Sequence, residues 1–326
     1  MDKHRHVRNS LALLTLIPMI RQFILVKELM YDTREIIPDP GDPEPKPVRV
    51  PVFYNVYADV ARISLATSII KEQITQLRPE HEVFIRSIGA AVKVENATLI
   101  RHDEEGDETG TLGLLWQHCR NHTTDKVVYI HNKGSFHPSA ANDKLRRFLT
   151  RGALSEECLS MPPSCNICSS RMSPIPHPHT PGNMWLARCE YIKKLINPLE
   201  FNLRMVQVYN PKRKDNSCVG TGRYAAEHWI HSHPSNMPCD LSSDDYTWNY
   251  DGVPTSDFEM KLEPAPQFEM KKYEKPTNGC GPIQGTMIKP RLKEYESLYP
   301  NETVPESWWG WKFFNVLYNN KTMKES

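Results

Sequence analysis

Three short stretches carry the side chains with chemistry to offer. The first is Tyr129-Ile130-His131-Asn132-Lys133-Gly134-Ser135, where an imidazole, an ammonium and a hydroxyl follow the apolar, β-branched run Val127–Ile130. Lys133 supplies a mobile positive charge, and Gly134 lets backbone approach a ligand closely. The group reads as the floor of an anion site, or as an ordinary strand with a polar turn. The second runs His177-Pro178-His179-Thr180-Pro181-Gly182-Asn183-Met184-Trp185. Here a proline-rich loop delivers Gly182 and Asn183 to the expected start of a helix near Met184, and a helix start offers free N–H groups to an anion. The third is Arg223-Tyr224-Ala225-Ala226-Glu227-His228-Trp229. Glu227 interrupts an apolar helical pattern. It is either solvated at the surface or turned inward, where burial raises its pKa toward that of a general base.

These groups need elements to hold them. Val50 to Tyr57 reads as a strand, Ala61 to Leu77 as an amphipathic helix and Glu82 to Gly89 as a second strand. An acidic loop, His102 to Glu108, leads into a helix over Thr111 to Cys119. The run at Val127 is a strand buried on both faces. Residues 142–152 predict a helix carrying Arg146, Arg147 and Arg151, a phosphate clamp or a solvated face. From Met184 the apolar side of the expected helix runs through Leu186, Tyr191, Ile192 and Leu195. Strands alternating with helices predict an α/β fold: Rossmann-like, with a mainly parallel sheet flanked by helices. Such sheets bind ligands beyond the carboxyl ends of their strands, which is where His131 to Ser135 fall.

Composition narrows the classes. Forty Lys and Arg against 39 Asp and Glu leave a formal charge of +1, which argues against a partner recruited by bulk charge such as nucleic acid. Eight cysteines and four Asn-x-Ser/Thr sequons, at Asn96, Asn121, Asn301 and Asn320, tilt the reading toward a lumenal or secreted chain, with a cytoplasmic protein holding free thiols as the alternative. Cys165-x-x-Cys168 reads as half of a zinc site or as a local disulfide. Three regions are expected. Residues 1–37 form a basic and apolar segment, read as a signal peptide or signal anchor or as an amphipathic helix packed on the domain. Its apolar run is short for a bilayer span and is interrupted by Arg21. Residues 38–48 are a proline-rich linker, and residues 49–326 form one α/β domain.

Taken in order, the three stretches resemble a loosely defined group of glycosyltransferase-like proteins, found among bacterial polysaccharide-synthesis enzymes and among algal and protist proteins. The group's pattern runs Tyr-x-His-x-Lys-Gly, Gly-Asn-Phe-Trp-x-Ala-x-x-x-Tyr and Glu-x-Trp, and the likeness covers roughly residues 50–240. It implies a GT-A-like, nucleotide-sugar-binding domain. The donor would be a nucleotide sugar and the acceptor a carbohydrate or glycoconjugate hydroxyl, in a Golgi-like lumen, with membrane association through the N-terminal segment. By this resemblance Glu227 is the catalytic base. His131, Lys133, Gly134, Ser135, Gly182, Asn183, Trp185 and Arg223 hold the donor and its phosphates. Many GT-A enzymes bind Mn or Mg through Asp-x-Asp at the end of a central strand, but here that place holds His131-Asn132-Lys133. A divalent cation then needs other ligands, among which His177, His179, Asp244 and Asp245 are candidates, or cationic side chains neutralise the diphosphate instead. Two other readings stand beside this one. One is a non-catalytic carbohydrate- or nucleotide-binding protein of the same fold. The other is a zinc-dependent hydrolase built on His131, His177, His179 and the cysteines. The aromatic run Trp308, Trp309, Trp311, Phe313 and Phe314 reads as a docked helix or a sugar-stacking surface.

Overall fold

The sheet is organised around β1 (Val50–Ala58). Along it Val52, Tyr54 and Val56 enter one core and Phe53 the other, the two-residue alternation of a strand buried on both faces. These are positions in a computed structural model, which describes residues 49–173, 176–213, 216–241, 263–264 and 288–303. All of them lie in the unit Val48–Ser326. Residues 1–37, the linker, Asp244, Asp245 and the aromatic run from Trp308 to Phe314 lie outside the described residues.

On one side β1 pairs in parallel with β2 (His81–Gly89), which pairs in parallel with β3 (Ala97–Asp103). On the other side it pairs in parallel with β4 (Lys126–His131). Beyond β4 the sheet is mixed. The strand β6 (Trp185–Arg188) runs antiparallel to both β4 and β5 (Ile167–Ser169). β5 is parallel to β7 (Pro238–Asp240), and β7 is antiparallel to β8 (Glu263–Pro264). The order is β3-β2-β1-β4-β6-β5-β7-β8. The chain is thus an α/β protein with a mixed, mostly parallel sheet. The order reverses between β1 and β4, which makes the crevice beyond their carboxyl ends the topological switch point.

Helices cover both faces. α1 (Ile63–Ile74) and α3 (Ala140–Ala153) bury Ala66, Ile70, Leu145, Phe148 and Leu149 against Val128 and Ile130. α2 (Glu108–Asn121) buries Leu112, Leu115 and Cys119 at helical spacing against Phe53, Val127 and Tyr129. Each buried Ile, Leu, Val or Phe among them contributes about 1.5–3 kcal/mol. α2 starts where the Asp107 carboxylate accepts the Thr109 N–H at 2.9 Å, and α3 starts at the Ser139 hydroxyl. Three short helices follow: α4 (Glu156–Leu159), α5 (Cys189–Ile192) and α7 (Asn216–Val219). α6 (Pro198–Tyr209) and α8 (Ala225–Trp229) cover the same face as α2, and α9 (Ile288–Leu298) contacts α6.

Several expectations are corrected. Trp185 to Arg188 is a strand rather than the first turn of a helix, and only Cys189–Ile192 is helical, so no helix start stands behind Gly182. Arg146 and Arg147 both donate to the Glu72 carboxylate, at 3.0–3.3 Å, instead of forming a free phosphate clamp. Cys165 and Cys168 do not bridge each other and hold no thiolates for zinc. The disulfides are Cys119–Cys189, Cys158–Cys168 and Cys165–Cys239, and Cys218 is disulfide-bonded as well. These bridges are compatible with an oxidising, secretory or lumenal location. Among the described residues, no helix is long and apolar enough to cross a membrane.

Candidate functional site

β4 delivers His131 and Asn132 to the switch point. The Asn132 amide knits the two central strands together: its Nδ2 donates to the Tyr57 carbonyl at 2.7 Å and its Oδ1 accepts the Tyr57 N–H at 2.9 Å. Opposite it lies the loop that enters β6. Gly182 and Asn183 both take left-handed backbone, with φ of 76° and 50°. At Gly182 a Cβ would sit 2.5 Å from a Leu149 methyl and 3.6 Å from Lys133 Cε, so glycine is required there and the lysine stem lies alongside it. The loop aims the Gly182 carbonyl at His131, whose Nε2–H donates to it at 2.8 Å.

Two carboxylates frame the imidazole. Glu108, the first residue of α2, places Oε1 3.5 Å from His131 Nδ1. Its Oε2 accepts the Tyr129 hydroxyl at 3.0 Å and Asn183 Nδ2–H at 2.8 Å. Trp185 Nε1–H holds Asn183 Oδ1 at 2.9 Å, so the amide cannot turn over. Burial lowers the His131 pKa, and Lys133 lowers it too, while Glu108 and the Gly182 carbonyl raise it. In the neutral ring Nε2 keeps the proton for Gly182, and Nδ1 turns a lone pair toward Glu108. A proton on either partner would turn that contact into a hydrogen bond.

The second carboxylate is Glu227 on α8, half-buried, whose Oε1 accepts the Gly182 N–H at 3.2 Å. Burial pushes its pKa from 4.5 up to about 7, and Glu108 adds to the rise. Lys133, the Gly182 N–H and Arg223 pull the other way. A carboxyl group with a midpoint near neutrality can take up or release a proton at working pH.

The structure therefore brings together His131, Lys133, Gly182, Asn183 and Glu227 from three distant stretches. Arg223 stands at the rim, exposed over the Tyr224 ring at 4.8 Å, within electrostatic reach of Glu227. The other predicted residues take structural places. Trp185 is wholly buried and stacks on Tyr129. Gly134 and Ser135 are buried in the turn after β4, where a Cβ on Gly134 would meet Arg146 Nη1 at 3.1 Å and the Ser135 N–H donates to the Asn132 carbonyl. His177 packs against His179 and His228, in a group that His228 ties to Pro178 and Glu294. Among the described residues these histidines form no three-ligand metal group. Sequence reasoning missed Glu108 and Tyr129. Asp107 beside Glu108, a capping residue followed by an acid, was the available signal for a helix start at the site.

The family model described as a domain of unknown function (DUF8361) matches residues 53–313. The chain belongs to that family. No curated protein and no solved structure matches it. All of the gathered site residues of this DUF8361 chain, from Glu108 to Glu227, fall within the matched span.

Proposed function

We propose that this DUF8361 protein transfers a sugar from a nucleotide-activated donor to a carbohydrate or glycoconjugate hydroxyl, on a GT-A-like domain working in a Golgi-like lumen. The observation that carries the reading is Glu227: a half-buried carboxyl with a midpoint near 7, beside the Lys133 ammonium, at the sheet's switch point. As the bond from the anomeric carbon to the diphosphate breaks, its electron pair leaves with the phosphate oxygen. Lys133, with Arg223 at the rim, balances that charge. The acceptor oxygen attacks the anomeric carbon from the other face and gives its proton to Glu227. The outcome is inversion. The Gly182 N–H is spent on Glu227 and serves no phosphate. The donor set at the end of β4 does not suit Mn or Mg. Asn132 gives its amide to Tyr57, the His131 Nε2–H is held by a carbonyl, and Lys133 is a cation, whereas hard dications take several oxygens. The N-terminal segment would supply any membrane association.

The test is a panel of nucleotide sugars screened first by thermal shift, since a ligand that binds the native state raises its stability, and then for transfer to glycan acceptors. Glu227→Gln should lower the transfer rate by about 10²–10⁴-fold with donor binding kept. Lys133→Ala should weaken nucleoside-diphosphate binding. Full activity in Glu227→Gln, or joint loss of donor binding and activity, would remove Glu227 as base. Binding of a nucleotide sugar or glycan with no transfer to any acceptor would leave a binding protein of the same fold.

A further inference from the structure

A second cluster of ligating side chains lies at the other end of β4. There α2 finishes and the chain turns back into the sheet. His118 lies on the last turn of α2 and His122, four residues on, is the residue that caps its end, and Asp125 stands one residue before Lys126, where β4 begins. His118 Nε2 is 2.9 Å from Asp125 Oδ2. The ligand atoms offered by the three side chains all lie within 4.8 Å of one another. We propose that His118, His122 and Asp125 bind a transition-metal dication of the zinc class.

Three features support the assignment. Two imidazoles and one carboxylate form the donor set that suits Zn, Ni or Cu, not Mg or Ca, which prefer oxygen throughout. The ring of His122 has its Nδ1 held by the His118 carbonyl at 3.1 Å, which fixes the proton on Nδ1 and leaves Nε2 with a lone pair. That backbone bond to the far nitrogen is the usual support of a metal-binding histidine. Finally, the surroundings are firm on one side and open on the other. The Cys119–Cys189 disulfide anchors the helix end, and Phe53 packs against His118. His122 is exposed and stacks on His118 at 4.2 Å, so an ion can reach its Nε2 from solvent while Nδ1 keeps its bond to the His118 carbonyl. Three protein ligands leave positions for water, so the ion would exchange with solvent.

The consequence is mechanical. The ion would tie the end of α2 to the start of β4. Those two elements carry Glu108 and His131 at their opposite ends, so the clamp would stiffen the frame of the switch-point site without touching it.

The test uses untagged, EDTA-dialysed protein with its disulfides intact. Titration with Zn(II) by calorimetry should give one saturable site per chain and a rise in melting temperature. Co(II) should give visible absorption bands that Zn(II) displaces. Because His122 is exposed, His122→Ala should fold normally. It should weaken binding by at least the roughly 10–100-fold that loss of a mere supporting group costs, and it should abolish the cobalt bands. His137→Ala, at an exposed histidine elsewhere, should change neither. Absence of saturable Zn(II) binding, or His122→Ala binding as tightly as wild type, would overturn the proposal.

Discussion

Glu227 makes a prediction that needs no substrate. Its carboxyl titrates near 7 in the folded protein against 4.5 in the unfolded chain. Between those values the native state holds a proton that the unfolded state has released, so stability falls as pH rises through the window. Moving the midpoint from 4.5 to about 7 corresponds to about 3 kcal/mol, present in full above pH 7 and absent below 4.5. Glu227→Gln keeps the oxygen that accepts the Gly182 N–H and removes the charge. The variant should therefore match wild type near pH 4 and exceed it by up to about 3 kcal/mol at pH 8. Urea unfolding of both proteins at pH 4, 5, 6, 7 and 8 measures the difference, provided the slopes agree. Other titrating groups cancel between the two proteins, except those that face Glu227: Lys133, Glu108 and Arg223. A difference that does not change with pH would show that Glu227 is solvated and its surroundings do not raise its pKa. A variant that loses ground as pH rises would show an ion pair instead, with the carboxylate favoured by the fold.

Two further outcomes concern the frame. Gly152 on α3 packs so closely on β5's continuation that a Cβ would lie 2.8 Å from Ser170 Cα, and Gly152→Ala should destabilise by about 1–3 kcal/mol in urea unfolding; an unchanged midpoint would refute that packing. Reduction should lower the unfolding midpoint, because opening the Cys119–Cys189 bridge alone, with a separation of 70, releases about 4 kcal/mol of loop restraint in the unfolded chain. Protein from an oxidising source should leave those two cysteines unlabelled by alkylation without reductant, and full labelling would contradict the bridge.

The first half of the fold was legible because its periodicities are clean. β1, β2 and β4 are apolar runs of strand length, and α1, α2 and α3 show helical spacing. β3 was missed because it is an edge strand. Its apolar Leu99 and Ile100 are exposed, and its last residues, His102 and Asp103, read as the start of an acidic loop. β6 was misread for a different reason. Leu186, Tyr191, Ile192 and Leu195 share helical spacing, but they span a doubly buried strand and a short helix, and a four-residue buried strand has no alternation to mark it. The site was half legible. Glu227 announces itself as a carboxylate in an apolar helical pattern, Lys133 as a cation just beyond an apolar run, and Gly182 as a glycine delivered by a proline-rich loop. Glu108 sits in an acidic run where one more carboxylate carries no signal, and only the three-dimensional approach of α2 to β4 gives it a role.

The contrast between two charged groups shows which of them the fold needs. Arg146 is almost wholly buried, and both terminal nitrogens of its guanidinium are answered, Nη1 by the Lys133 carbonyl at 2.9 Å and Asp143 at 2.7 Å and Nη2 by Glu72, while its buried Nε has no partner. Removing it would strand those partners, so packing and polar satisfaction account for its presence. Glu227 is the reverse case. One backbone N–H at 3.2 Å is the hydrogen bond its carboxylate accepts among the described residues, and a glutamine could accept it equally well. Burial works against its charge, and Glu108 adds repulsion. A neutral residue of the same shape would make a more stable protein at neutral pH. Residues that lower stability where a neutral isostere would fit mark sites held for function rather than folding. Lys133 faces Glu227 from the other side of the loop: its backbone carbonyl serves Arg146, while its side-chain stem lies alongside Gly182 and its charge favours the ionised carboxylate. An ammonium and a carboxyl near its midpoint, set at the switch point of the sheet, are what separation of a phosphate leaving group and uptake of a hydroxyl proton require.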